Sequence, residues 1–159
     1  MDKKYAYING VLLDGTRWMI PVTGKIVFTE GERITAIGED GDSTEGYEII
    51  DLGGKFLMPG LINLHVHLPG TGKPKQTKTD LVKLVKFLTG NALTRKIVES
   101  MCADAARTQL MSGVTTIRTV GGITNFDSIV RDKINAGKLD GPRILASNAA
   151  LYFSSPVAA

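Results

Sequence analysis

Two hydrophobic patterns divide the chain near residue 58. Before that point, short runs of β-branched and aromatic residues alternate with turn signals such as Asp14-Gly15, which predicts a series of short strands. Residues 25–29 and 33–38 flank a polar turn containing glycine, so we predict a hairpin there. Short strands at close spacing are typical of a small sheet, and we expect residues 1–58 to form an N-terminal β-sandwich segment.

From residue 59 onward the pattern changes to helices alternating with strands. Three stretches place apolar side chains at helical spacing: residues 79–89, 92–111 and 126–136. Three shorter stretches are typical of buried strands: residues 61–67, 114–120 and 142–147. The resulting order, strand, helix, helix, strand, helix, strand, predicts the α/β class with a parallel sheet or barrel. Gly60, which follows Pro59, is expected to let the chain turn sharply into the first of these strands.

Composition and charge exclude several classes of protein. The 159 residues are 43% apolar and 22% charged, as in an ordinary globular protein, and the net charge of +3 does not indicate a nucleic-acid partner. Residues 73–99 carry seven cations and two anions, net +5. This favours the solvated face of helices, with a patch for an anionic substrate or partner as the alternative. We therefore expect no nucleic-acid partner.

The remaining compositional signals concern the single cysteine and the cellular location of the protein. Cys102 is the single cysteine, so no intrachain disulfide can form, and its helical position predicts a small apolar packing role. No apolar run approaches the roughly 18 to 20 residues needed to span a bilayer. The first residues lack the apolar core and cleavage site of a signal peptide. We expect a cytoplasmic protein without a membrane partner.

The only two histidines, His65 and His67, lie one residue apart in the predicted strand 61–67. Because side chains alternate along a strand, both imidazoles should point to one face and Val66 to the other. Imidazole suits zinc, iron or nickel, but a bare His-x-His also fits histidines that are simply exposed or hydrogen-bonded. The pair ends the first strand of a βα series, where barrel enzymes keep their chemistry, and this favours a metal site. No catalytic residue and no residue for another cofactor is assigned.

The sequence around the histidines resembles the amidohydrolase superfamily of metal-dependent hydrolases. The resemblance lies in the segment FLMPGLINLHVH, which is followed by a loop, two helices and SGVTTIRTVGG. The family pattern is matched at five positions: Pro59, Gly60, Ile62, His65 and His67. The stretches 112–116 and 141–144 look like the second and third barrel strands of the branch with imidazolonepropionase-like and Xaa-Pro dipeptidase-like enzymes. The resemblance covers about residues 5 to 148.

The resemblance implies a (β/α)8 barrel beside a small β-sandwich, with residues 59–159 forming the first βα units of the barrel. It also implies one or two divalent ions, zinc being the expected metal, with His65 and His67 as ligands of the more buried ion. The implied reaction is hydrolysis of a C–N bond in a cyclic amide, peptide or amino-heterocycle by a metal-activated water.

Two stretches depart from the family pattern. Relatives in this branch often carry an acidic residue after the arginine of the second barrel strand, whereas Arg118 is followed by Thr119. We assign Arg118 no function and expect it to bond backbone at the barrel rim. The tail, residues 149–159, does not match the Gly- and His-rich loop expected there.

The length limits what this chain can do alone. A (β/α)8 barrel takes about 250 residues, and the roughly 100 residues after the first segment hold three candidate strands of eight. The remaining imidazole ligands are absent, because the sequence has no further histidine. We expect a fragment from the N-terminal part of an amidohydrolase, inactive in isolation, that lacks a C-terminal part or forms a homo-oligomer. The alternative is a catalytically inactive truncated or split piece that folds against a partner or itself.

Overall fold

The computed structural model describes residues 2–68 and 81–149. The chain divides into two compact units, Met1–Pro59 and Gly60–Ala159. Three predictions lie wholly or partly outside the described residues: the first two residues of the helix predicted at 79–89, the first part of the basic stretch 73–99, and the divergent tail from residue 150. Among the described helices, none combines the length and hydrophobicity that crossing a bilayer requires.

The first unit consists of short strands. They are β1 (Lys4–Ile8), β2 (Val11–Leu12), β3 (Lys25–Glu30), β4 (Arg33–Glu39), β5 (Glu48–Asp51) and β6 (Phe56–Leu57). Four of them form a sheet in the order β4-β3-β1-β5, and β2 pairs with β6 in a separate ladder. Ala6, Ile26 and Phe28 form its apolar cluster. The assignment of residues 1–58 to a sandwich stays a prediction.

The predicted hairpin is confirmed, and an aromatic run before it is divided into two strands. Strands β3 and β4 are antiparallel and are joined through Gly31, whose φ of 58° is one that glycine adopts without strain. The aromatic and β-branched run from residue 5 to 13 forms two strands and breaks at Asn9, where φ is 53°. The Asn9 amide Nδ2 donates to Asp51 Oδ1 at 3.0 Å, which stabilises this turn between β1 and β2.

The second unit is a parallel α/β layer, as the alternating pattern predicted. Its elements are β7 (Leu61–Val66), α1 (Leu81–Thr89), α2 (Ala92–Met111), β8 (Val114–Thr119), α3 (Phe126–Asn135) and β9 (Arg143–Leu145). The sheet order is β7-β8-β9, and both pairings are parallel. The α/β class is confirmed, and the closed or partial barrel stays a proposal.

The core of this unit lies between the sheet and its helices. The buried side chains come from β7, β8 and β9 on one side and from α2 and α3 on the other: Val66, Leu68, Val98, Cys102, Ala106, Ile117, Phe126, Val130 and Ile144. Cys102 is fully buried, and burial raises the pKa of its thiol to about 12. Its predicted role as a small apolar packing residue is confirmed.

Gly60 is required for a different reason from the one predicted. Its φ is not in the left-handed region, so the backbone there does not need glycine for its conformation. A Cβ on Gly60 would instead lie 2.0 Å from Thr115 Oγ1 and 2.3 Å from Thr115 Cγ2. The close approach of the chain to β8, rather than a sharp turn, excludes a side chain at this position.

Candidate metal centre

The two histidines are placed by an irregularity in strand β7. Asn63 pairs with Ile117 and Val66 pairs with Thr119, so three steps along β7 match two steps along β8. One extra residue is therefore accommodated at Leu64-His65 as a β-bulge, a feature that redirects side chains next to functional sites.

The bulge determines the face on which the histidines emerge. Asn63 is half-buried and its Nδ2 donates to Gln109 Oε1 of helix α2 at 3.4 Å, so its side chain lies on the helix side of the sheet. Strict alternation from Asn63 would place His65 and His67 on that same side. The extra residue shifts the alternation, so that Val66 is buried while both histidines are exposed on the opposite face.

Two side chains satisfy the backbone groups near the bulge. The His65 amide N–H donates to Asn63 Oδ1 at 3.1 Å. The Leu64 carbonyl accepts a hydrogen bond from Arg118 Nε at 3.1 Å. Backbone groups without ladder partners need such substitutes, because an unpaired peptide group is costly to bury. The predicted role of Arg118 as a partner for backbone is confirmed.

The imidazole rings converge on one point in front of the sheet. Their Nε2 atoms are 3.2 Å apart, their ring centroids are 5.1 Å apart, and the ring planes are inclined at 74°. Two nitrogens bound to one tetrahedral zinc at about 2.0–2.1 Å are themselves about 3.3 Å apart. The distance between the Nε2 atoms therefore fits two ligands of a single metal ion. It also fits a direct hydrogen bond between the two rings.

His67 is further fixed through its other nitrogen. Nδ1 lies 2.8 Å from the carbonyl oxygen of Gly121, in the turn that follows β8. A carbonyl can only accept, so the hydrogen sits on Nδ1 and the Nε2 lone pair points outward. Metal-binding histidines commonly have this arrangement, since a second hydrogen bond sets the tautomer and the ring orientation.

The donor set is incomplete in the part of the chain described. Within residues 2–68 and 81–149, no group of three or more histidine, cysteine, aspartate or glutamate side chains is placed to hold a metal ion. Catalytic zinc normally takes three protein ligands. His65 and His67 can thus supply part of a metal site, and their chemistry depends on ligands beyond these two.

Comparison with known proteins identifies the family. The family model for the amidohydrolase family matches residues 56–155, the segment that contains β6 and the strands and helices described in the second unit. The chain belongs to the amidohydrolase family. The resemblance inferred from Pro59, Gly60, Ile62, His65 and His67 is confirmed at this level.

Individual amidohydrolases match over limited stretches. An imidazolonepropionase of Hyphomonas neptunium is 43% identical over 82 residues, which are 45% of this chain and 20% of that protein. A dihydroorotase of Wolbachia is 41% identical over 71 residues, 44% of this chain and 16% of that protein. The crystal structure of an Xaa-Pro dipeptidase with bound methionine superposes with a TM-score of 0.71 at 26% identity, covering 92% of this chain and 34% of the dipeptidase. The chain thus spans about a fifth of the curated relatives and a third of this structure.

Sequence reasoning found the histidines but missed the residues that hold them. Asn63 and Gly121 carry no pattern that distinguishes them from other strand and turn residues. Asp127 was also missed: it lies in the first turn of helix α3, where an acidic residue ordinarily lies in solvent near the helix N-terminus. The nearest signal was the Gly121-Gly122 pair, because adjacent glycines after a strand often mark a close approach of backbone.

Proposed function

We propose that this chain is the N-terminal part of a metal-dependent amidohydrolase that acts on a small-molecule substrate, and that His65 and His67 bind its divalent metal, with zinc as the expected ion. The observation that carries the proposal is the convergence of the two Nε2 atoms at 3.2 Å, with the Nδ1 hydrogen of His67 engaged by Gly121. The contact with Gly121 leaves the Nε2 lone pair of His67 for an ion, and the distance between the Nε2 atoms fits two ligands of one ion.

The residues of this chain would bind the metal ion and orient its ligands, and the ion would supply the chemistry. A divalent metal, when bound, polarises the substrate carbon and activates water for hydrolysis of a C–N bond. His65 and His67 hold it, and Gly121 fixes the ring of His67. Asn63 and Arg118 keep the bulge that presents His65. The names of the relatives, an imidazolonepropionase, a dihydroorotase and an Xaa-Pro dipeptidase, favour a cyclic amide or a dipeptide as the substrate.

Further strands are proposed to complete the barrel and its ligand set. Within the described residues, β7 and β9 each pair only with β8, so the parallel sheet has two open edges. A barrel closes only when every strand has two neighbours. We place the remaining metal ligands, including those of a second ion if there is one, on strands that follow β9 in the whole protein.

Zinc titration of the chain tests the site. The wild-type chain should bind close to one zinc ion in competition with a chromophoric chelator, and the H65A/H67A double variant should bind at least about tenfold more weakly. The matched control is C102S, which removes the only thiol, itself a potential zinc ligand, and should leave the affinity unchanged. Equal zinc affinity in wild type and double variant would instead assign the contact between the rings to a simple hydrogen bond.

A second candidate, an inactive piece that folds against a partner or a second copy, rests on exposed apolar side chains of β7. Ile62 is 65% exposed and Leu64 is 54% exposed on a sheet that otherwise packs against helices. Exposed apolar strand surface favours association. Light scattering over a range of concentrations tests whether the chain folds against a second copy of itself. A dimer weakened by I62S supports self-association, and a monomer at every concentration argues against it.

A further inference from the structure

The carboxylate of Asp127 is buried, and no described residue gives it a hydrogen bond of ordinary geometry. Its side chain has 0% of its surface exposed, and among the described residues neither Oδ1 nor Oδ2 has a partner of ordinary geometry. Burial raises the pKa of Asp127, and the nearby Thr119 hydroxyl, Asn148 amide and His67 ring lower it only in part. Since buried polar groups are nearly always well paired, a buried carboxylate with no better partners than these needs an explanation.

The carboxylate lies directly against the turn that follows β8. A Cβ placed on Gly122 would be 2.5 Å from Asp127 Oδ1, 2.7 Å from Oδ2 and 2.8 Å from Cγ, and these are its three nearest atoms. The space beside Gly122 is therefore filled by Asp127. The Gly122 N–H donates to the Asn148 carbonyl at 2.7 Å, which holds the other side of the turn.

This turn also carries the carbonyl that orients His67. Gly121, the preceding residue, accepts the Nδ1 hydrogen of His67 at 2.8 Å. A shift of Gly122 would move that carbonyl, because the two residues share a planar peptide. A continuous path of contacts thus runs from Asp127 through Gly122 and Gly121 to the imidazole.

We propose that Asp127 is a positioning residue for His67, holding the Gly121-Gly122 turn from behind so that the Gly121 carbonyl fixes the tautomer and orientation of the ring. The proposal deepens the function proposed above and rests on it for the metal. Asp127 lies on the helix side of β8 and His67 on the open face, so it acts through the turn and does not touch the ion.

Single and double substitutions at Asp127 and Gly122 test whether their contact positions His67. D127A removes the carboxylate behind the turn, and G122A drives a methyl group into it. The φ of Gly122 is not in the left-handed region, and the three atoms nearest to an added methyl group all belong to Asp127. In the double variant D127A/G122A the new methyl occupies the vacated space. D132A, which removes an exposed carboxylate from the same helix, is the matched control.

Two measurements report on the His67 ring itself and not on the stability of the chain: the NMR signal of its Nδ1 hydrogen and the zinc affinity. In the metal-free chain, nitrogen-detected NMR of the imidazoles reports the hydrogen on Nδ1 of His67. We expect this signal in wild type, D132A and the double variant, and its loss or exchange-broadening in D127A and G122A. Zinc affinity should fall about 10- to 100-fold in each single variant, as for other partners that orient metal ligands, and return to within about threefold of wild type in the double variant.

The outcomes separate this proposal from the metal site. A folded D127A chain with an unchanged Nδ1 signal overturns the proposal, as does a double variant without recovery. If a single variant does not fold, recovery of the fold and of the Nδ1 signal in the double variant supports it. If wild type binds no zinc, the proposed function fails, and the NMR comparison still decides whether Asp127 positions His67.

Discussion

Replacing Asp127 with asparagine should stabilise the chain at neutral pH. The substitution keeps the size of the side chain and removes a charge that is 0% exposed and has no partner of ordinary geometry among the described residues. An unsatisfied buried polar group costs about 1–3 kcal/mol, and a charged one more. Asparagine still buries an amide, so we expect a net gain of about 1–3 kcal/mol, and roughly 2–4 °C in melting temperature for each kcal/mol.

The pH dependence provides the sharper test. Burial raises the pKa of Asp127 in the folded chain above its ordinary value of 3.8, so the folded state retains the proton to higher pH than the unfolded state. Below the ordinary value both states carry the proton, and the cost is absent. As pH rises from the ordinary pKa to the raised one, the wild type loses about 1.4 kcal/mol of stability for each pH unit between the two. Asparagine does not titrate, so its advantage grows over this window and then stays level.

Thermal unfolding followed by circular dichroism, from pH 4 to pH 8 with a chelator present, measures both effects. Asp132→Asn is the control, because it removes an exposed carboxylate of the same helix that bonds Arg131, and its effect should stay within about 0.5 kcal/mol. An asparagine variant less stable than wild type at pH 8, or an advantage that does not shrink toward pH 4, would refute the reasoning.

The remaining predictions concern packing, the bulge and the thiol. G60A should lower the free energy of unfolding by about 1–3 kcal/mol, because its methyl overlaps Thr115; adding T115A should recover part of the loss in denaturant titrations, and a fully stable G60A would contradict the contact. R118A should cost about 0.5–1.5 kcal/mol and shift the amide signal of His65 in nitrogen–proton NMR spectra, whereas an unchanged spectrum would show that the bond to the Leu64 carbonyl is unimportant. Cys102, with its pKa raised by burial to about 12, should react with an aromatic disulfide reagent at pH 8 only after denaturant is added; rapid reaction of the native chain would argue against its burial.

Much of the second unit could be predicted because its helices and strands have distinct hydrophobic periods. Helix α2 begins and ends at the predicted residues, Ala92 and Met111, since the side chain of Asn91 caps one end and Gly113 follows the other with a φ of 87°. The break between β1 and β2 was missed. Asn9-Gly10 is a turn signal, but it lies within an aromatic and β-branched run whose strand propensity outweighed it.

The support of the site could not be predicted, for physical reasons. Register between parallel strands depends on a partner about fifty residues away, so no local pattern reveals the extra residue at Leu64-His65. The burial of Asp127 likewise depends on where Gly122 lies in space. His65 and His67 were accessible to sequence reasoning because the strand that carries them and the family pattern around them are local in the sequence.

The bulge in β7 has a genetic consequence. Two residues lie between Asn63 and Val66, whereas the pairing of both with β8 leaves room for one in a regular ladder. Substitutions at Leu64 should be tolerated at the exposed face, and an in-frame loss of its codon would remove the bulge while plain alternation keeps His65 and His67 on the open face. At this position the gene should therefore accept the loss of one codon as well as its replacement.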